Sequence, residues 1–276
     1  MAISLDLEDR VVLLCGVGRG GIGGATARRL ARAGATLFMV DHLQSALDET
    51  RADVEAAGGR CEAMLADLTD PAQGDQVVPA ALASFGRLDG VANVAGGTRD
   101  HEWMRLEETP TSLFRDVLNL NLEYVFRICR DAAASMIKQG SGGSLVNVAS
   151  ISALASAPFH GPYGAAKSGI MALTRTMAIE WKEHGIRANS VAPGAVATAR
   201  VTSRPGWGTN DSTSGTSANL TSVDELANAI VFLLSDLASG ISGQNLVVDS
   251  ALSANFCAGS VEQFKKSIYQ GAPGKG

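Results

Sequence analysis

Tyr163 and Lys167 are the two residues whose types and spacing point most directly to chemistry. They stand at positions i and i+4, so on a helix they share one face, a turn apart. A free tyrosine has a pKa near ~10 and is a poor base at neutral pH. An ammonium group about 4 Å away, at an effective dielectric constant of about 20, favours the phenolate by roughly 4 kcal/mol, or about three pKa units. We therefore expect Lys167 to bring Tyr163 towards neutrality, where a general acid/base works best.

Further polar side chains could complete a site around this pair. Ser150 directly follows an apolar run and precedes Tyr163 by thirteen residues, so we expect its hydroxyl to orient a substrate oxygen. Ser152 is a second candidate, expected to line the substrate pocket. Asn121 lies inside a long helical segment, where an uncapped asparagine is unfavourable, and this suggests a role outside helix stability. Asn119 is its structural rival.

A glycine-rich turn, residues 16–24, directly follows the first apolar run and opens a helical segment. Glycines there let the backbone approach a pyrophosphate, and the helix N-terminus supplies N–H donors and partial positive charge. Asp41 ends the next apolar run, where a carboxylate accepts hydrogen bonds from ribose hydroxyls and repels a 2′-phosphate. Arg19, inside the turn, can instead receive a 2′-phosphate. On balance these residues favour NAD over NADP.

Short apolar runs alternate with segments that have helical punctuation. Proline opens these segments, as at Pro71, Pro110 and Pro162, and glycine follows their ends. The alternation predicts an α/β fold with a single Rossmann-type, doubly wound parallel sheet and helices on both faces. Ligands of such sheets bind at the carboxyl ends of the strands. The runs predicted to be buried strands are Val11–Cys15, Thr36–Val40, Leu88–Val94, Ser144–Val148, Arg187–Val191 and Asn245–Val248.

Composition narrows the class of protein further. The chain has 276 residues, of which 46% are hydrophobic and 18% charged, as in a globular protein. A net charge of −5 without a run of Lys or Arg argues against nucleic acid or an anionic membrane as a partner. No apolar stretch approaches the roughly 18 residues of a membrane span, and no signal pattern opens the chain, so we expect a cytoplasmic protein. The cysteines and histidines lack metal-ligand spacing, which predicts reduced thiols and no metal site.

Together these features resemble the shorter branch of the short-chain dehydrogenase/reductase family, from Leu5 to about Ser253. Ser150, Tyr163 and Lys167 match its catalytic positions, and the resemblance favours Asn121 over Asn119 as the fourth. The other matching segments are Asp67-Leu68, Asn93-Val94-Ala95-Gly96, Asn121-Leu122-Glu123-Tyr124-Val125-Phe126, Pro193-Gly194-Ala195-Val196-Ala197-Thr198, Ser242-Gly243-Gln244 and Val248-Asp249.

The resemblance implies a role for each catalytic residue. Tyr163 exchanges a proton with the alcohol or carbonyl oxygen, and Lys167 holds the ribose hydroxyls and lowers the pKa of Tyr163. Ser150 positions the substrate, and Asn121 binds a water in the proton relay. The nicotinamide exchanges hydride with the substrate carbon.

The turn and the resemblance together define the expected binding residues. The glycine turn carries one residue more than the common spacing of the family, which leaves the role of Arg19 open. The substrate is expected to meet Ser150, Ser152, His160 and Trp207. The cofactor is expected to meet Gly16, Arg19, Gly21, Ile22, Gly23, Asp41, Asp67, Leu68, Asn93, Ala95, Gly96, Tyr163, Lys167, Pro193, Gly194, Val196 and Thr198.

The activity that follows is NAD-dependent interconversion of a secondary alcohol and a ketone, both small molecules. A 3-oxoacyl-thioester reductase is the alternative within the class, although Arg115, Arg127 and Arg130 are dispersed and form no basic patch for a carrier protein. A catalytically silent dinucleotide-binding regulator is the alternative from another class. Such proteins typically lose the tyrosine or the lysine that this chain keeps.

Two segments lie outside the regular pattern. Residues 195–222 are rich in Ser, Thr, Gly and Asn and are predicted to form a substrate loop within a single catalytic domain, residues 1–253. Residues 254–276 form an extension in which Val261, Phe264 and Ile268 share a helix face, and we expect it to close the pocket or to support the substrate loop. Apolar residues on more than one face of the helical segments 111–139 and 162–184 predict a homo-oligomer, and the family resemblance makes it a homotetramer.

Overall fold

The computed structural model describes residues 5, 7–198 and 220–254, and these contain a seven-stranded, all-parallel β-sheet. Trp207, most of the predicted substrate loop 195–222 and nearly all of the extension 254–276 lie outside the described residues. The strands are β1 Val11–Cys15, β2 Thr36–Asp41, β3 Arg60–Leu65, β4 Gly90–Asn93, β5 Gly143–Val148, β6 Ile186–Pro193 and β7 Asn245–Val248.

The strand order reverses at β1: β2 and β3 lie on one side of it, and β4 to β7 lie on the other. The full order is β3-β2-β1-β4-β5-β6-β7, and Val12 of β1 pairs with Leu37 of β2 on one side and with Gly90 of β4 on the other. The connections that follow β1 and β4 therefore leave in opposite directions, which opens a crevice at the carboxyl edge of the sheet. The prediction of a doubly wound Rossmann-type sheet is confirmed.

Helices cover both faces of the sheet. Leu13 and Leu14 are neighbours in β1 and point to opposite faces; Leu13 packs in a core with Ile128, and Leu14 in a second core with Ile230. None of the described helices is both long and apolar enough to cross a membrane. The helices are α1 Ile22–Arg32, α2 Gln44–Ala56, α3 Pro71–Gly74, α4 Val77–Phe85, α5 Thr111–Leu118, α6 Tyr124–Gln139, α7 Gly161–Glu180 and α8 Val223–Leu234.

Two elements differ from the sequence interpretation. The strand β3 is absent from the predicted apolar runs because it lies at the edge of the sheet, where only Cys61 is buried and Leu65 is 53% exposed. The segment opened by Pro71 is not one helix but two short ones, α3 and α4, with a break between Gly74 and Val77.

A π-helical turn, Asn119–Glu123, lies between α5 and α6 inside the segment predicted as one long helix. Such turns insert an extra residue into a helix and often lie at functional sites. Asn121 is at the middle of this turn and is fully buried. The conflict between an asparagine and a helix interior, noted from the sequence, thus coincides with a real irregularity of the backbone.

Candidate active site

The glycine turn brings the backbone of β1 against the start of α1. Gly16 has a φ of +87°, and a Cβ there would lie 2.6 Å from the nitrogen of Ala95. A Cβ on Gly23 would lie only 1.8 Å from the carbonyl oxygen of Gly16. Neither position admits a side chain, so the open space above the turn is available to a ligand at the N-terminus of α1.

Asp41 supports this turn from the end of β2. Its Oδ2 accepts a hydrogen bond of 2.8 Å from the backbone N–H of Val17, and its Oδ1 accepts one of 3.1 Å from Leu43. The side chain of Thr50 donates to the carbonyl of Val17 at 2.6 Å. The carboxylate is buried, and the two backbone hydrogen bonds hold it in one orientation.

Arg19 lies away from the crevice floor and forms an ion pair with α2. Its guanidinium is 3.5 Å from Oδ1 of Asp53, whose Oδ2 also binds Arg28 at 3.1 Å. The Arg19 side chain is 58% exposed. The sequence left the role of this arginine open, and the structure gives it an acidic partner on the protein.

A cavity of about 670 Å³ occupies the crevice. It passes from the glycine turn and Asp41 to the ends of β3 and β4. Of the predicted cofactor residues, its lining includes Gly16, Gly21, Ile22, Gly23, Asp41, Asp67, Leu68, Ala95, Gly96 and Thr198. The predicted residues that are described but lie outside the lining are Arg19, Asn93, Tyr163, Lys167, Pro193, Gly194 and Val196.

Several lining residues were not found from the sequence. Thr69 donates from its hydroxyl and its backbone N–H to Oδ1 of Asp67, at 2.7 and 2.8 Å, and these bonds lower the pKa of Asp67. Tyr124 also lines the cavity and donates to the carbonyl of Ala95 at 2.6 Å. The signal for them in the sequence was their position in the chain: Thr69 follows Asp67 by two residues, and Tyr124 belongs to the segment that contains Asn121.

A second, slightly larger groove of about 760 Å³ opens elsewhere, at the amino-terminal edge of the sheet. Its lining includes Arg10, Asp89 and Arg187 but none of the predicted site residues that the structure describes. Because ligands of doubly wound sheets bind at the carboxyl edge, the smaller crevice is the better candidate for the active site.

Ser150, Tyr163 and Lys167 come together at the carboxyl end of β5. Tyr163 and Lys167 lie on α7, with the Lys167 ammonium 5.6 Å from the centre of the Tyr163 ring. Lys167 donates a 2.8 Å hydrogen bond to the carbonyl of Val148. Ser150 is buried and accepts a hydrogen bond of 3.1 Å from the N–H of Ser152. The structure therefore groups the three residues that the sequence predicted to act together.

The electrostatics of this group differ from the expectation. Burial raises the pKa of Tyr163, and a hydrogen bond with Ser150 lowers it by less. Burial also lowers the pKa of Lys167 from 10.5 to about 7. The expectation from the sequence took Lys167 as a permanently charged ammonium about 4 Å away, whereas its burial disfavours the charged form.

Asn121 braces the loop after β4. Its Oδ1 accepts from the N–H of Gly97 at 2.8 Å, and its Nδ2 donates to the carbonyls of Gly97 and Val117, both at 3.0 Å. A Cβ on Gly96 would lie 2.7 Å from the Asn121 oxygen. Both amide hydrogens and one oxygen lone pair are thus engaged, so the side chain has little capacity left for the water expected from the sequence.

Features of the crevice itself fit a dinucleotide. The turn excludes side chains at two glycines, the N-terminus of α1 opens onto the cavity, and an oriented carboxylate stands at the end of β2. These are the groups that hold a pyrophosphate and a ribose in doubly wound sheets.

Comparison with known proteins agrees with this geometry. A family model described as enoyl-(acyl carrier protein) reductase matches residues 16–253. The L-rhamnose 1-dehydrogenase (NAD(P)(+)) of Azotobacter vinelandii is 35% identical over 269 residues, which cover 90% of this chain and 98% of the relative. The 3-oxoacyl-[acyl-carrier-protein] reductase of Thermotoga maritima is 33% identical over 247 residues, covering 89% of this chain and 98% of the relative.

A solved structure extends the comparison to a bound state. A 7α-hydroxysteroid dehydrogenase complexed with NADH and 7-oxo glycochenodeoxycholic acid superimposes with a TM-score of 0.81 at 28% identity, covering 90% of this chain and 95% of that one. The chain belongs to the short-chain dehydrogenase/reductase family. It is an NAD(P)-dependent oxidoreductase that acts on CH–OH groups.

Proposed function

We propose that this enzyme interconverts a secondary alcohol and a ketone with Tyr163 as its acid/base. The grouping of Ser150, Tyr163 and Lys167 beside the dinucleotide crevice is the observation that carries the proposal. A nicotinamide bound in the crevice would supply the hydride acceptor for the oxidation and, in its reduced form, the hydride donor for the reduction. Tyr163 takes the hydroxyl proton in the oxidation and donates it to the carbonyl oxygen in the reduction.

The other residues of the group hold this tyrosine and its substrate. Ser150, whose hydroxyl is hydrogen-bonded to Tyr163, is suited to bind the same substrate oxygen. Lys167 is suited to hold the ribose hydroxyls of the cofactor while it remains bonded to Val148. Because the Asn121 side chain is already engaged, we assign it to support of the Gly97 loop.

The preference for NAD over NADP rests on Asp41 and Arg19. The buried carboxylate of Asp41 lines the crevice, and its charge repels a 2′-phosphate. Arg19, the candidate receptor for that phosphate, is paired with Asp53 instead. Comparison of kcat/KM for NAD and NADP tests this preference, and a ratio in favour of NADP would contradict it.

The alternative substrate is a 3-oxoacyl thioester, which the relative from Thermotoga maritima favours. A carrier protein is acidic and would need exposed cations at the mouth of the site. Arg127 is buried and binds the carbonyl of Leu68 at 2.7 Å, and Arg130 is paired with Asp131 at 2.7 Å. Both of these arginines are already engaged by groups of the protein, so we place the thioester second to a small alcohol.

The direct test is a panel of secondary alcohols with NAD, read by the absorbance of NADH, and the matching ketones with NADH. Tyr163→Phe should reduce kcat by about 10²–10⁴-fold and leave NAD affinity nearly unchanged, because the ring and the fold remain. Retention of more than about a tenth of the wild-type rate would remove Tyr163 from the acid/base role.

We also propose a homotetramer in the cytoplasm, with one catalytic domain over residues 1–253, a substrate loop at 195–222 and an extension at 254–276. Exposed apolar side chains support the assembly: Phe126 on α6 is 44% exposed, Ile179 on α7 is 76% exposed, and the edge strand β7 exposes Leu246 and Val247. Burial of such surface favours association. Light scattering at micromolar concentration tests the assembly, and a monomeric mass would refute it.

A further inference from the structure

Three aromatic rings form a stack that begins at the catalytic tyrosine. The His160 ring lies 5.7 Å from the Tyr163 ring, and the Trp103 ring lies 4.2 Å from the His160 ring, centre to centre, with tilts of 38° and 35°. The sequence placed His160 among the substrate residues but gave no reason to connect Trp103 with it. We call Trp103, His160 and Tyr163 the aromatic stack.

The backbone holds this stack firmly in place. Met104 donates a 2.8 Å hydrogen bond to the carbonyl of Phe159, and the carbonyl of His160 accepts from the N–H of Tyr163 at 3.1 Å. Phe159 has a φ of +65°, a left-handed conformation that is uncommon for a bulky residue. Strain of this kind persists where the surroundings fix it and is concentrated at binding sites.

The stack also presents an apolar surface beside the reacting group. Trp103 is 42% exposed, and Phe159, next to His160 in the chain, is 55% exposed. The two ring separations put Trp103 no more than about 10 Å from the Tyr163 ring. A substrate whose reacting oxygen meets Tyr163 therefore has an aromatic surface within reach of its body.

His160 adds one polar group of defined character. Its Nδ1 lies 2.9 Å from the carbonyl oxygen of Pro158. Because a carbonyl only accepts, Nδ1 carries the hydrogen, and Nε2 is the acceptor of the neutral ring. A substrate hydroxyl can donate to that nitrogen.

We propose that the aromatic stack recognises a cyclic secondary alcohol that carries a second hydroxyl. The C–H face of a saturated ring packs on Trp103, and the second hydroxyl donates to His160 Nε2. This inference rests on the proposed function, since it requires a secondary alcohol at Tyr163.

The test compares kcat/KM with NAD for cyclohexane-1,2-diol, cyclohexanol and the acyclic hexan-2-ol. The wild-type enzyme should prefer both rings to the open chain, and the diol to cyclohexanol. Trp103→Ala should lower kcat/KM for both cyclic substrates by about tenfold or more and change hexan-2-ol little. Trp103→Phe keeps an aromatic face and should restore most of the loss.

A second variant isolates the hydrogen bond. His160→Phe keeps a ring between Trp103 and Tyr163 but removes the acceptor, so the ratio of kcat/KM for the diol to kcat/KM for cyclohexanol should fall to about one. NAD affinity should stay at the wild-type value in every variant. A substitution that disturbed the fold as a whole would weaken NAD binding as well.

The outcomes separate this inference from the proposed function. Turnover of hexan-2-ol as efficient as that of the rings, or an equal loss on all three alcohols in Trp103→Ala and Trp103→Phe, would overturn the role of the aromatic stack and leave the secondary-alcohol activity standing. Turnover of none of a broad panel of secondary alcohols by the wild-type enzyme would overturn both.

Discussion

Replacement of Lys167 by methionine should stabilise the cofactor-free protein while it abolishes catalysis. Lys167 is fully enclosed, and burial lowers its pKa from 10.5 to about 7. At about 1.4 kcal/mol per pKa unit, the charged form therefore costs the fold about 5 kcal/mol. Methionine has a similar length and no charge, so the Lys167→Met variant escapes this cost.

The net gain is smaller, because the lysine also makes one favourable contact. Loss of its hydrogen bond to Val148 costs about 1.5–3 kcal/mol, as the donor is a charged group. The difference leaves a gain of about 2–3 kcal/mol at or below neutral pH, or roughly 5 °C or more in Tm.

The pH dependence gives this prediction its clearest signature. The folded-state pKa lies below the unfolded value, so the unfolded chain binds more protons between pH 7 and pH 10.5. The penalty is full below pH 7 and disappears as the pH rises through 10.5, by about 1.4 kcal/mol per pH unit. The advantage of Lys167→Met should therefore shrink to near zero by about pH 9.

The assay is denaturant unfolding of the cofactor-free wild-type protein and Lys167→Met at several pH values between neutral and alkaline, at one protein concentration. Lys138→Met, which replaces an exposed lysine on α6, is the matched control and should change stability by no more than about 0.5 kcal/mol. A Lys167→Met variant that is less stable than the wild type at neutral pH, or whose advantage does not depend on pH, would refute the reasoning.

Two further variants test the supports of the crevice. Asp53→Ala should release Arg19 and raise the NADP-to-NAD ratio of kcat/KM by up to about fivefold, the limit for an exposed ion pair. The control is Asp224→Ala, which removes the exposed partner of Arg29 at 3.2 Å and should leave the ratio unchanged. Equal effects of the two substitutions would count against the role of Asp53. Asn121→Asp keeps the acceptor for the Gly97 N–H but loses two donated bonds, so unfolding free energy should fall by about 3 kcal/mol with loss of activity, whereas an unchanged denaturation midpoint would show that these bonds do not hold the loop.

The fold was accessible from the sequence wherever burial leaves a simple pattern. The central strands are nearly all apolar because helices cover both of their faces, and an apolar run reveals them. The edge strand β3 buries only Cys61, so no such run exists there. The π-helical turn at Asn119–Glu123 was signalled only by an asparagine where a helix former was expected.

In the candidate site, contacts between residues close in sequence could be predicted, whereas contacts between separate elements could not. Tyr163 and Lys167 lie one helical turn apart, so their spacing predicts their contact. Trp103 meets His160 from a different connection, and Arg19 meets Asp53 on another helix. Such pairs depend on how separate elements pack, and their members are too far apart in the sequence for a motif to predict them. The pKa of Lys167 belongs to this second kind, because it depends on the depth of burial.

The position of β1 in the interior of the sheet also has a consequence for folding during synthesis on the ribosome. Its neighbour on one side, β2, follows closely, but its other neighbour begins only at Gly90. At about 5–20 residues per second, roughly 4–15 s of synthesis separate the end of β1 from the arrival of β4. During that interval the most apolar strand of the sheet has an open hydrogen-bonding edge, the feature by which nascent chains aggregate. Chaperone dependence of this enzyme should therefore be determined by the first ninety residues, well before any catalytic side chain of α7 has been made.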